Sequence, residues 1–128
     1  MKYNFTKVFA NNLERFIKMY RKKILIDLDG VLNTYNGNYE PDKIPEIKIG
    51  AKEFIEGLSK NFDLYLFTTR NSDLSKKWLR ENELNSYFKD VTNIKIPAYL
   101  YIDDRCICFN GDFGKLLSEI NDFNVYWN

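Results

Sequence analysis

Three short apolar runs, each ending abruptly in polar or acidic residues, constrain this chain more than any other feature of its sequence. Ile24-Leu25-Ile26 stops at Asp27-Leu28-Asp29-Gly30, Leu64-Tyr65-Leu66-Phe67 at Thr68-Thr69-Arg70, and the segment from Ala98 to Ile102 at Asp103-Asp104. A short run rich in β-branched and aromatic residues, apolar on both faces, reads as a buried parallel strand, and the sudden polar stop marks its exit into a loop. Helical patterns lie between the runs. Ala51, Phe54, Ile55 and Leu58 recur at helical spacing, and a helix from Ser72 to about Leu84, capped by Asn71 or Ser72, carries Leu74, Trp78 and Leu79. A weak strand is expected near Val91, a helix from Asp112 to Ile120 and a final short strand at Val125-Tyr126-Trp127. Strands alternating with helices predict a three-layer, Rossmann-like α/β sandwich: a mainly parallel sheet with helices on both faces.

At 128 residues and 45% hydrophobic content, the chain can bury one good core but not two, so residues 1–128 are expected to form one domain. Residues 1–22 read as an amphipathic helical extension. Phe9, Leu13, Phe16, Ile17 and Tyr20 fall on one helical stripe that is expected to dock on the core. Arg21-Lys22-Lys23 closes this helix, where cations favour the negative end of its dipole. Residues 33–46 are polar and hold Gly37, Pro41 and Pro45, so they read as a loop or flap. The 19 basic and 18 acidic side chains nearly cancel, which leaves no global field to draw the protein to nucleic acid or membrane. No apolar run approaches the roughly 20 residues that a membrane span needs, and the cytoplasm is the expected compartment. No obligate protein partner is indicated, and oligomerisation is left open.

Two cysteines, Cys106 and Cys108, are too few for a disulfide framework or a four-thiolate zinc site. Their alternation with Arg105 and Ile107 suggests one face of an extended segment. The chain has no histidine, which excludes Ser-His-Asp triads, Cys-His pairs and histidine zinc sites. Proton transfer falls to carboxylates, lysine, tyrosine or metal-bound water.

In open α/β sheets ligands bind at the carboxyl ends of the strands, where the polar residues of this chain collect. If the backbone stays extended, Asp27 and Asp29, two apart, point the same way, and Asp103-Asp104 ends another strand. Four converging carboxylates would repel and force some to take up protons. A divalent cation relieves that repulsion, and an all-oxygen site with room for water and phosphate suits magnesium. Lys95 can add positive charge, and Thr68 with nearby backbone N–H groups can hold a phosphate oxygen; such a site is equipped for phosphoryl transfer, which depends mainly on alignment and charge neutralisation.

Asp27-Leu28-Asp29-Gly30-Val31-Leu32 resembles the first motif of the haloacid dehalogenase (HAD) superfamily, Thr68 the second, Lys95 the third and Asp103-Asp104 the double-acid form of the fourth. Their order and strand-end positions agree over Ile24 to Asp104. The resemblance implies a magnesium-dependent phosphomonoesterase in which Asp27 attacks phosphorus to give an aspartyl phosphate that water hydrolyses. Asp29 would serve as general acid and then base. Magnesium would be held by the Asp27 carboxylate, the main-chain carbonyl of Asp29, and Asp104 or Asp103, with Asp104 favoured because similar double-acid motifs often use the second. Thr68 would bind the phosphoryl group, and Lys95 would steady it and the nucleophile; Thr69 and Arg70 complete the implied substrate contacts. The Thr-Thr-Arg and Ile-Asp-Asp-Arg segments resemble the phosphatase part of polynucleotide kinase-phosphatases, where an arginine in this region helps bind phosphate. A surface salt bridge is the alternative for Arg70, a bond to the backbone for Thr68, and plain surface exposure for Lys95.

Neither gap between the motifs holds a large cap domain, so the resemblance is to the capless form, whose open site suits a nucleotide, a sugar phosphate or a nucleic-acid phosphate end. Tyr35, Tyr39 and Trp78 could stack on a base or serve in packing. A HAD-like binding or regulatory module without turnover is the alternative, opposed by the intact Asp27 and Asp29. Gly111 to Lys115 reads Gly-Asp-Phe-Gly-Lys, which lacks the spacing and the hydroxyl residue of a phosphate-binding P-loop.

Overall fold

The computed structural model describes residues 5–128. Among these residues are four helices, α1 (Phe5–Met19), α2 (Ala51–Ser59), α3 (Ser72–Glu81) and α4 (Phe113–Asp122), and four strands, β1 (Lys23–Asp27), β2 (Asp63–Phe67), β3 (Phe88–Thr92) and β4 (Leu100–Ile102); they alternate as far as β3, which β4 follows with no helix between. A single 3-10 turn, Asn85–Tyr87, precedes β3. The strands form one all-parallel sheet in the order β3-β2-β1-β4. This is the expected Rossmann-like three-layer α/β arrangement, without a large cap. The flap carries no strand of its own beyond an antiparallel bridge between Asn33 and Ile47. None of the described helices is long and apolar enough to cross a membrane.

Alternation along the strands sorts the sheet into two faces. Ile24, Ile26, Leu64 and Leu66 are buried on one, where they meet Ala51 and Ile55 of α2 and Trp78 and Leu79 of α3. Leu28, Leu32 and Leu84 close the same core from the loops. The other face is different. Leu25 is buried there between its register partners Tyr65 and Tyr101, and lysines lie over the rings: Lys23 Nζ is 5.8 Å from the Tyr65 centroid and Lys95 Nζ 4.7 Å from that of Tyr101.

Helix starts follow the expected chemistry. Asn71 caps α3 by accepting from the Leu74 amide at 2.9 Å, and Asp112 caps α4 by accepting from the Lys115 amide at 3.0 Å. The decoy glycines of 111–115 thus belong to a helix start. Arg21 ties the entrance of β1 to the α2–β2 connection, donating to the carbonyls of Ser59 and Phe62 and facing Asp63 at 3.4 Å.

Two expectations need correction. The helix of the N-terminal extension forms, but its stripe does not dock: Val8, Phe9, Leu13, Phe16 and Tyr20 are all exposed, while the side chain of Ile17 and residues 1–4 lie outside the described residues. Helical periodicity shows that a face is apolar, not that a partner for it exists in the same fold. Val125-Tyr126-Trp127 forms no strand; it is a turn that folds against the loop after β1, because its residues find side-chain anchors instead of a free sheet edge.

The core and the helix of the extension should answer differently to truncation. Leu66→Ala is expected to lower the urea unfolding free energy by about 2–5 kcal/mol, and Leu13→Ala by less than about 0.5 kcal/mol. Equal losses would contradict the burial of Leu66 and the exposure of Leu13.

Candidate functional site

Register assembles the acidic cluster. β1 pairs with β4 so that Ile26 faces Ile102; one residue further along, Asp27 therefore comes beside Asp103, with Asp104 next. Oxygens of Asp27, Asp103 and Asp104 lie within 4.8 Å of one another, all three residues half-buried. Like charges at such separation repel by roughly 4 kcal/mol per pair near a protein surface. Burial, foremost, then the charge of Asp103 and the hydrogen bond and charge of Asp104, push the Asp27 carboxyl up to about 8, against a smaller opposing effect of the Leu28 amide. Asp103 is also raised, chiefly by burial and further by Asp104, while the Arg105 and Asp104 amides pull the other way. Among the described residues no lysine or arginine forms an ion pair with any of the three.

The carboxylates are held in place by groups around them. Asp103 Oδ1 accepts from the Arg105 amide at 2.9 Å, and Asp104 Oδ2 from the indole N–H of Trp127 at 2.6 Å. Gly30 has a φ of +80°, open to glycine at little cost, and a Cβ there would overlap the Asp104 carboxylate and stand 2.8 Å from Trp127 Nε1. The glycine of the Asp-Leu-Asp-Gly turn is what lets the second acidic strand approach the first.

Asp29 faces elsewhere. β1 ends at Asp27 and the chain turns at once, so the two-residue parity that would aim both side chains together no longer applies. The carboxylate cluster therefore has three members, not four. Asp29 Oδ1 accepts from Asn33 Nδ2 at 2.9 Å and Oδ2 from Arg70 Nε at 2.7 Å. Asn33 is fully buried and also accepts from the amides of Gly30 and Tyr35, fastening the turn from inside. Arg70 is no surface arginine: its side chain is 1% exposed, and it donates to the flap carbonyls of Glu40 at 2.8 Å and Lys43 at 3.4 Å. Its Nη2 is buried without a partner. The Tyr39 ring covers the guanidinium at 4.6 Å.

Thr68 is buried at the end of β2, and its Oγ1 accepts from the Arg70 amide at 3.2 Å, so the backbone-bonding alternative for this hydroxyl is realised. Beside it, at the carboxyl ends of β2 and β3, a cavity of about 370 Å³ is lined by Thr68, Thr69, Arg70, Asn71, Ser72 and Asn93 among others. Lys95 is exposed over Tyr101 and forms no ion pair with the acidic cluster. Trp78 is buried with its indole N–H donating to the Pro45 carbonyl, which settles it as packing. Cys106 and Cys108 are exposed and free.

Comparison with known proteins adds the fold alone. No family model and no curated protein matches the chain. A solved structure, described as that of a conserved protein coded by a locus from Bacteroides thetaiotaomicron, is similar with a TM-score of 0.54 and 23% identity, over 79% of this chain and 90% of that one.

Several residues of this site escaped sequence reasoning. Asn33, directly after the apolar pair Val31-Leu32, carried the signal of a polar residue in a position to be buried; Lys48, Tyr126 and Trp127 carried none beyond their type. Lys48 donates to the Tyr126 hydroxyl, which donates to the Gly30 carbonyl.

The crowding has a measurable consequence. Asp27 loses its proton near pH 4 when unfolded but at about 8 when folded, so between these values the native state holds the extra proton and stability falls as pH rises. In chelator-treated protein the urea midpoint is expected to decline through this window, and Asp27→Asn to flatten the decline. A wild-type midpoint that climbs over the same range would overturn the assigned crowding of Asp27.

Proposed function

We propose that this chain is a magnesium-dependent phosphomonoesterase of the HAD type, acting on a nucleotide, sugar phosphate or nucleic-acid phosphate end. The observation that carries the reading is the gathering of Asp27, Asp103 and Asp104 within 4.8 Å at the carboxyl edge of a parallel sheet, without an ion-paired lysine or arginine among the described residues. An all-carboxylate donor set this crowded fits a hard divalent cation, which would neutralise charge at the phosphoryl oxygens. Asp27, Asp104 and Asp103 would hold it, with the Asp29 carbonyl as the further oxygen that the resemblance implies.

In this reading an oxygen of the Asp27 carboxylate attacks phosphorus, the bond to the ester oxygen breaks, and the leaving alcohol takes its proton from Asp29. Water then attacks the aspartyl phosphate, Asp29 receives the proton, and inorganic phosphate leaves with Asp27 restored. Asp29 must first part from Arg70. An arriving phosphoryl group gives the arginine another anion to hold, and its unpaired Nη2 supplies a donor already stripped of water. Thr68, Thr69 and the adjoining cavity offer the phosphoryl group its remaining contacts, while Lys95 enters by resemblance alone.

A second reading keeps the cation and drops the turnover. Both oxygens of Asp29 are occupied and Lys95 rests on Tyr101, an arrangement suited to a binding or regulatory module. Release of phosphate from a chromogenic ester, with and without magnesium, separates the two. The phosphatase reading predicts metal-dependent release that Asp27→Asn lowers by roughly a thousand-fold or more. Arg70→Ala should lower it by roughly a hundred-fold, with Arg70→Lys restoring little because a bidentate fork is lost. Magnesium binding with no release from wild-type protein on any of the three substrate classes would leave the second reading standing.

A further inference from the structure

Val125, Tyr126 and Trp127, the segment after α4, are each anchored by a different contact. Val125 is buried, the Tyr126 hydroxyl donates to the Gly30 carbonyl and accepts from Lys48, and the Trp127 indole N–H donates to Asp104. The Trp127 ring is held from two further sides, by the edge of Tyr35 with centroids 5.5 Å apart and by the Arg105 guanidinium at 5.6 Å. Three consecutive residues fixed in this way form a strap across the turn that carries Asp29 and Gly30.

We propose that this strap is the outer shell of the cation site, with Trp127 a positioning residue for Asp104 and Tyr126 a positioning residue for the Asp29-Gly30 turn. The inference rests on the cation of the proposed function. A carboxylate that binds a metal through one oxygen is oriented by a donor on the other, and such donors typically govern affinity. Trp127 meets that requirement: its N–H donates to Asp104 Oδ2 at 2.6 Å, and Asp104 also offers an oxygen to the three-carboxylate cluster. Asp103 is tethered in the same manner by the Arg105 amide on Oδ1, so each acid of the pair has one oxygen fixed by the protein. Gly30 makes the contact possible, since any side chain there would fill the space shared by Asp104 and Trp127 Nε1. Tyr126 acts on the opposite wall, pinning the carbonyl of the residue after Asp29.

Magnesium binding to the purified full chain, followed by calorimetric titration with magnesium chloride alone, tests the assignment. Trp127→Phe keeps a ring against Tyr35 but removes the donor, and it is expected to weaken binding by about 10–100-fold while leaving the thermal midpoint of the chelated protein nearly unchanged. Trp127→His, which restores a ring N–H, is expected to recover part of the affinity, and Tyr126→Phe to weaken it in the same direction as Trp127→Phe. In phosphate release, the Trp127→Phe defect should shrink at high magnesium, because orientation of a ligand raises the metal requirement and not the barrier at saturation. Unaltered affinity in Trp127→Phe and Tyr126→Phe, beside tight wild-type binding abolished by Asp27→Asn, would overturn the strap's role and spare the cation site. Absence of binding in the wild type would remove both.

Discussion

Pairing of β1 with a parallel neighbour on each side is the constraint from which the rest of the molecule follows. β1 lies between β2 and β4, so its backbone groups are spent on the ladder and its side chains Ile24, Leu25 and Ile26 are sealed from water. The pairing also has a fixed register, and that register ends one residue short of an acid on each of two adjacent strands. Hydrophobic burial thus drives together carboxylates that would otherwise separate. The crowding is lodged in a sheet whose stability comes from elsewhere, and burial first, then the neighbouring Asp103 and Asp104, make Asp27 hold its proton to about 8.

Turns around the cluster do the positioning. Asn33 fills the inside of the turn after β1, Gly30 makes room for Asp104, and Arg70 reaches from the end of β2 to Asp29 and the flap carbonyls. Arg70 therefore links two loops through one rigid fork, holding Asp29 and the flap carbonyls of Glu40 and Lys43 at once. The strap of Tyr126 and Trp127 closes the opposite side. A site at the sheet edge gains a fixed geometry in this way without a cap domain, from loop residues anchored on buried elements.

Apolar stripes on α1 and α4 stay exposed, in contrast to α2 and α3, which cover the core face of the sheet. On the sheet face opposite that core, Leu25 is covered by Tyr65 and Tyr101, with lysines over those rings.

Local patterns were enough to place the strands and helices up to α4, the parallel character of the sheet and the strand-end location of Asp27, Thr68 and Asp103-Asp104, but they misplaced a strand at Val125-Tyr126-Trp127. Those patterns are apolar runs with polar stops, helical spacing and caps such as Asn71, all of which act within a few residues. Tertiary structure alone decided where side chains with a choice of partner would turn. Asp29 left the cluster for Asn33 and Arg70 because β1 ended two residues too early for parity to hold, and Lys95 settled on Tyr101. Trp127 reached Asp104 across 23 positions and Tyr126 reached Gly30 across 96, contacts that no local period can encode because they depend on the path of the whole chain between them.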